Sequence, residues 1–160
     1  MTDIPMPPAS AAATGGPAPQ ADDEVARLIA LHTHLQDTVQ GFDKVTEKAE
    51  PEFLGVAEAF GALHRAQAGR VAQMVAALGG DVAADGSLMG TVNRAVVEIR
   101  SWFDDIGHNV MDALVDGEMR LLESFDAAIS ASPSPERRGL LQQMQTDLRD
   151  LLRRHAPNDS

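Results

Sequence analysis

The chain of 160 residues contains no cysteine and no tyrosine, and its aromatic side chains are five phenylalanines and one tryptophan. Without cysteine it forms no disulfide and no thiolate metal site, so disulfide-stapled folds and zinc-finger chemistry are excluded. No apolar stretch approaches the roughly 20 residues of a membrane-spanning helix. The N-terminus carries Asp3 and lacks the apolar core of a secretory signal. These absences predict a cytoplasmic protein with no membrane partner.

Basic residues are also scarce, since 13 Lys and Arg stand against 24 Asp and Glu for a formal charge of -11. Such a charge repels nucleic-acid phosphates and anionic lipids, so we predict no nucleic-acid partner. Residues 135–155 are the exception, because they contain five Arg and three acidic residues. The rest of the chain therefore has a formal charge of -13. This segment either docks on an acidic neighbour or complements the negative end of its own helix dipole, and we favour the dipole interpretation.

Proline, glycine, alanine and serine are concentrated in residues 1–21, which contain almost no large apolar residue. Such a segment buries too little surface to offset its ordering entropy, so we expect a disordered tail. Residues 22–156 are expected to form one helical domain, because the length suits a single core. Residues 157–160 are expected to be a short C-terminal tail.

Apolar residues at spacings of three and four predict a first long helix from residue 22 to about residue 48. Its inward row is Val25, Leu28, His32, Leu35, Val39 and Phe42. Pro51 suits the first turn of a second long helix, which Gly79 and Gly80 end. The second inward row is Leu54, Ala57, Gly61, His64, Ala68, Val71, Val75 and Leu78. Because the joint is short, these helices are expected to be antiparallel neighbours.

The second half of the chain predicts a short helix and two further long ones. Residues 91–103 carry a helical pattern after a Gly- and Asp-rich connection, and we predict a crossover helix there. The next row is Met111, Leu114, Glu118, Leu121, Phe125 and Ala128. Ser134 and Pro135 have the cap and first-turn chemistry of a last helix. Its row is Leu141, Met144, Leu148, Leu151 and His155. The fold class is therefore all-α, an antiparallel four-helix bundle.

Three polar residues lie on the inward rows, and they are the candidate functional site: His32, His64 and Glu118. Helical bundles hold metals with such residues, since hard cations prefer carboxylate oxygen and a Glu-x-x-His pair projects two ligands to one side. No histidine on an inward row has a carboxylate three positions before it. The residue three positions before His64 is Gly61, and the residue three positions before His32 is Ile29.

Two interpretations of this site are open. One is a metal site, with iron as the possible ion and Glu98 or a second chain as a further source of ligands. The other, which we favour, is a buried cluster in which imidazole and carboxylate satisfy each other. A rotation of the third long helix by one position would instead expose Glu118. The pair Asp105 and His108 has the metal-binding spacing but lies at a helix start, where Asp is typically a cap.

Other charged and polar residues lie off the inward rows. Glu58 and Arg65 are expected on a solvated face, since charge at helix positions is usually exposed. His34 is two residues from His32 and points to a different side of the helix, so we expect it to be exposed as well.

Residues 22–155 resemble a bacterial ferritin-like family of unknown function in the rubrerythrin and ferritin-like group. The segments that carry the resemblance are LQDTVQGFDKVTEKAEPEF (35–53), ALGGDVAADGSLMG (77–90) and DGEMRLLESFDAAI (116–129). The resemblance implies a ferritin-like bundle, and Glu118 looks like the recurring glutamate of the third long helix. The wider group has Glu-x-x-His pairs in its second and last helices. At the corresponding positions this chain has Gly61 and His64 in the second helix, and Gln142 and Gln145 in the last.

From this pattern we expect a structural or partner-binding protein without an intact di-iron site, and we favour a protein that is not an enzyme. Self-association into a homo-oligomer and an unknown protein partner are both compatible with it. The alternative is a protein that binds or oxidises iron or another divalent metal through an incomplete or shared His and Glu site.

Overall fold

The computed structural model describes residues 19–83 and 110–155, and these residues form four α-helices with no β-strand. The helices are α1 (Pro19–Lys48), α2 (Pro51–Ala77), α3 (Val110–Ala131) and α4 (Pro135–His155). The predicted crossover helix at 91–103, the pair Asp105 and His108, and Glu98 lie outside the described residues. So do the terminal segments 1–18 and 156–160.

The helix boundaries follow the local chemistry of the sequence. The first helix begins at Pro19, three positions before the predicted start, and ends at Lys48 as predicted. Pro51 occupies the first turn of α2, where a missing N–H is without cost. The backbone N–H of Arg137 donates to the Ser134 hydroxyl at 3.3 Å, so Ser134 caps α4 as predicted.

The end of α2 depends on two consecutive glycines. Gly79 has φ of +80°, the left-handed conformation that side chains other than glycine rarely adopt. The N–H of Gly80 then donates to the carbonyl of Val75 at 2.9 Å, which closes the helix end. A Cβ at Gly80 would lie 2.8 Å from Val25 Cγ1. Gly80 therefore lets the end of α2 approach the beginning of α1.

Most apolar residues of the predicted inward rows belong to one core shared by all four helices, and Leu31, Phe60 and Leu122 join it from outside those rows. Leu54 and Met111 are only half-buried. Helix α1 contacts α2 and α3, and α4 contacts the same two helices. Glu118 is buried between Leu114 and Leu121, so the rotated phase of α3 is wrong. None of the helices in the described ranges is long and apolar enough to cross a membrane.

Contacts between helix ends give the register of the four elements. Val25 near the start of α1 lies beside Gly80 at the end of α2, while Phe42 stacks on Phe60. Glu24, also at the start of α1, contacts Arg137 in the first turn of α4. The Phe60 ring lies 6.1 Å from that of His155, the last residue of α4.

We predict that Gly80→Ala lowers the free energy of unfolding by roughly 1–3 kcal/mol, because its methyl group overlaps the stiff side chains of Val25 and Val75. Gly139→Ala is the matched control. Gly139 is an exposed helical position with open space around a Cβ, and alanine there raises stability by about 0.5–1 kcal/mol. Urea unfolding measures both changes, and a neutral Gly80→Ala variant would contradict the close approach.

Candidate functional site

A hydrogen bond between His64 and Glu118 lies at the centre of the core. His64 Nε2 is 2.9 Å from Glu118 Oε1, and the side chains are 0% and 2% exposed. His64 belongs to α2 and Glu118 to α3. These two helices lie diagonally across the bundle, since α1 and α4 each contact both of them. One proton between the two atoms completes the bond, with either the imidazole N–H or the carboxyl O–H as donor. The pair therefore joins two helices through the middle of the bundle.

Aromatic rings fill the space beside this pair. The ring of Phe42 lies 5.6 Å from the His64 imidazole, and that of Phe60 lies 6.2 Å from it. The two phenyl rings stack on each other at 5.6 Å with an angle of 9°. A Cβ at Gly61 would touch Phe42 Cβ at 3.5 Å. A Glu-x-x-His motif would place its carboxylate at Gly61, and a Cβ there would lie between Phe42 and the Arg65 guanidinium, whose Nη1 is 3.7 Å away.

Two atoms of the pair have no hydrogen-bond partner among residues 19–83 and 110–155. They are His64 Nδ1 and Glu118 Oε2, and both are buried. An unpaired buried polar atom costs roughly 1–3 kcal/mol, so a further partner for either atom would stabilise the pair. Such a cost is found at functional sites and in buried polar networks that make a core specific.

His32 does not join His64 and Glu118. The contacts of Val25 with Gly80 and of Phe42 with Phe60 place His32 beside about residue 72 of α2. That is about 12 Å from His64 along the helix axis, at 1.5 Å per residue. His32 instead accepts a hydrogen bond from the Gln36 amide at 3.4 Å, and burial lowers its pKa. Within residues 19–83 and 110–155, no three His, Asp or Glu side chains are grouped so as to hold a metal ion.

Two buried glutamines, Gln67 and Gln145, form hydrogen bonds between helices. Gln145 is 5% exposed, and its amide donates to the carbonyl of Leu122 at 3.3 Å and to Asp126 Oδ1 at 2.7 Å. The amide of Gln67 donates to the carbonyl of Met144 at 2.8 Å. These two side chains link α4 to α3 and to α2. Amide donors on backbone carbonyls are structural contacts rather than metal ligands.

Helix-surface residues mostly follow the prediction. Glu58 and Arg65 are exposed, as predicted, and Arg65 forms an ion pair with Asp43 across α1 and α2. His34 differs from its predicted exposure, because it is half-buried, with Nδ1 2.8 Å from the hydroxyl of Ser124 in α3. It directly precedes the inward residue Leu35, and from that position its side chain reaches the neighbouring helix. Periodicity within α1 carries no signal of this contact.

Sequence reasoning missed a buried ion cluster at the start of α1. Glu24 is 1% exposed and accepts hydrogen bonds from Arg137 at 2.6 and 3.1 Å and from the Ser132 hydroxyl at 2.7 Å. Burial alone would raise the pKa of Glu24. The hydrogen bonds and charge of Arg137, together with the Ser132 bond, outweigh burial and hold the pKa below its ordinary value. Glu24 precedes Leu28 by four positions, and that spacing is the signal of its inward direction.

Asp37 is a second buried carboxyl group that sequence reasoning missed. It lies off the inward row of α1, yet it is only 8% exposed, and its Oδ1 atom has no hydrogen-bond partner within the part of the chain that the structure describes. Burial raises the pKa of Asp37 to about 6. No periodicity in the sequence distinguishes it from the solvated acids of the same helix.

The helices and the His64–Glu118 pair define an all-α domain with a polar contact inside its core. The chain belongs to the family described as Domain of unknown function (DUF2383), whose model matches residues 23–131. This match contains both members of the pair and nearly all of the first three helices. A search of curated proteins and of solved structures finds no match to the chain.

We predict that His64→Leu lowers the free energy of unfolding by roughly 3–5 kcal/mol, because it leaves Glu118 as an unpaired buried acid. The double variant His64→Leu, Glu118→Leu is expected to recover most of that loss, since two leucines suit the apolar layer. Urea unfolding of wild type, both single variants and the double variant forms a complete cycle. Strictly additive losses would show that the two side chains act independently.

We predict that Asp37→Asn stabilises the protein at pH 8 by up to about 3 kcal/mol. The folded pKa of about 6 lies above the ordinary value of 3.8, so the folded state disfavours the charged carboxylate. The contribution of Asp37 to stability is therefore complete below pH 3.8 and is lost as the pH rises through 6. The gain from Asn should vanish at the acidic end of this window. Asp116→Asn, at an exposed position of α3, is the control, and a pH-independent gain would contradict the assignment.

Proposed function

We propose that the chain is an antiparallel, ferritin-like four-helix bundle that acts as a structural or partner-binding protein rather than an enzyme. The contacts between helix ends support this topology. The start of α1 meets the end of α2 and the start of α4, and Ser132 just after α3 contacts Glu24. In this arrangement α2 and α3 run in the same direction. A long connection between these two helices is the ferritin-like order.

The single observation that carries the non-catalytic function is what surrounds His64. Phe42 and Phe60 pack on its ring, and the one acid in the described ranges that contacts it is Glu118. A di-iron centre needs several carboxylates and two histidines around two ions. The donor set of the described residues does not fit such a centre.

The experiment is metal retention by the purified chain. Protein prepared without chelators is incubated anaerobically with ferrous iron, desalted and measured by elemental analysis. We expect less than one iron per chain, because two donor atoms in an apolar layer bind a divalent ion weakly. Two irons per chain after desalting would overturn the proposal.

A second candidate function, divalent-metal binding, is favoured by one observation. His64 Nδ1 and Glu118 Oε2 are metal-binding atoms without a protein partner among the described residues. Another part of the chain or a second copy would then supply further ligands, because His32 lies about 12 Å from His64 along the helix axis. This function predicts that His64→Ala abolishes metal uptake with unchanged helicity by circular dichroism, whereas His155→Ala leaves uptake intact. Equal uptake by both variants rejects these ligands.

A further inference from the structure

Within residues 19–83 and 110–155, no other helix packs on the side of α2 that faces away from the core, and the composition of this surface is unusual. We call it the α2 outer face, and it consists of Gly55, Ala59, Ala62, Ala66, Gly69, Gln73 and Ala76. All of these residues are exposed except Ala59, which is half-buried. A Cβ placed on Gly55 or Gly69 would meet nothing within 4 Å. The helix backbone is therefore open to close approach by another helix.

The spacing along this face alternates between four and three residues throughout. That is the heptad spacing of a coiled-coil seam, in which two helices remain in contact over several turns. Beside the seam lie Val56 and Leu63, both half-buried at the edge of the core. They extend the apolar strip on one side.

Charges around the face are complementary to those of a second copy. When a second α2 helix packs antiparallel with Gly55 opposite Ala66, Glu58 on one flank comes near Arg65 of the second copy. In the same register, Glu52 at the start of the seam comes near Arg70 of the second copy. All four of these charged side chains are exposed.

The alternative orientation brings like charges together. In a parallel coiled coil, a flanking residue of one helix faces the residue five positions further along the other helix. Arg65 would then face Arg70 of the second copy, and Glu58 would face the apolar Leu63. Because like charges at close range are unfavourable, the charge pattern selects the antiparallel arrangement.

Three of the four charges are available for contacts with a second copy. In the ranges 19–83 and 110–155, Glu52, Glu58 and Arg70 form no ion pair, whereas Arg65 pairs with Asp43. The Arg65 guanidinium carries five donors in a planar fork, so it can bind a second carboxylate without losing Asp43.

We propose that two copies of this chain associate through the α2 outer face, with the two α2 helices antiparallel. The inference rests on the proposed function and specifies its partner as a second copy. Gly and Ala bury little apolar area, so the association is weak and concentration-dependent. It requires no rearrangement of the core.

The absence of cysteine makes disulfide crosslinking a direct test. Gly55→Cys and Ala66→Cys variants are mixed and oxidised with copper phenanthroline, and the expected product is the mixed disulfide dimer. Each variant alone should stay monomeric on a non-reducing gel. Identical positions are then about 16 Å apart along the seam, well beyond the roughly 7 Å that a disulfide spans. Ala30→Cys, at an exposed position of α1, is the control.

Light scattering of the unmodified chain and of Ala62→Glu completes the test. The unmodified chain should approach twice its 17.0 kDa mass with rising concentration, and Ala62→Glu should remain at 17.0 kDa. Ala30→Glu should behave as the unmodified chain. Dimers that persist in Ala62→Glu, or that crosslink through identical positions, overturn this interface but leave the proposed function in place. A strict monomer overturns the dimer, whereas iron retention separately decides the non-catalytic function.

Discussion

The centre of the bundle depends on the hydrogen bond between His64 and Glu118, because it is a polar contact inside a layer of rings and aliphatic side chains. Neither residue can be accommodated alone, since each would leave a polar group without a partner in the core. The bond fixes the rotation of α2 and of α3 about their axes at once. These rotations also turn the apolar rows of α2 and α3 toward the core.

A second polar contact fixes the axial position of the helices relative to one another. Glu24 holds Arg137 and Ser132 at the end of the bundle where α1 and α4 begin. Apolar rows tolerate sliding by a turn, because one aliphatic layer resembles the next. A buried carboxylate with an arginine partner does not tolerate it. The apolar core supplies burial, and we infer that these two polar contacts make the packing specific.

The helices were largely predictable from the sequence, whereas the site was predictable only in part. Row positions such as Leu28, Leu121 and Leu148 follow from helical periodicity, and all three are buried. Periodicity also predicts that His64 meets Glu118. It wrongly places His32 in the same group, because the register between α1 and α2 separates His32 from the pair. Periodicity predicts on which face of its helix a residue lies, but not its position along the bundle axis. Asp37 was out of reach for another reason, since its burial comes from tertiary packing off the inward row.

The Glu24 cluster also bears on where this domain ends as a folding unit. The family match covers residues 23–131, which include Glu24 but not the helix that carries Arg137. A chain cut at that boundary would keep a carboxylate placed for burial and lose its counter-ion, together with the core face of Leu141, Met144 and Leu148. The segment recognisable by sequence is thus smaller than the segment that closes the core. Helix α4 supplies part of the hydrophobic core, so the core of the described residues extends beyond the family match.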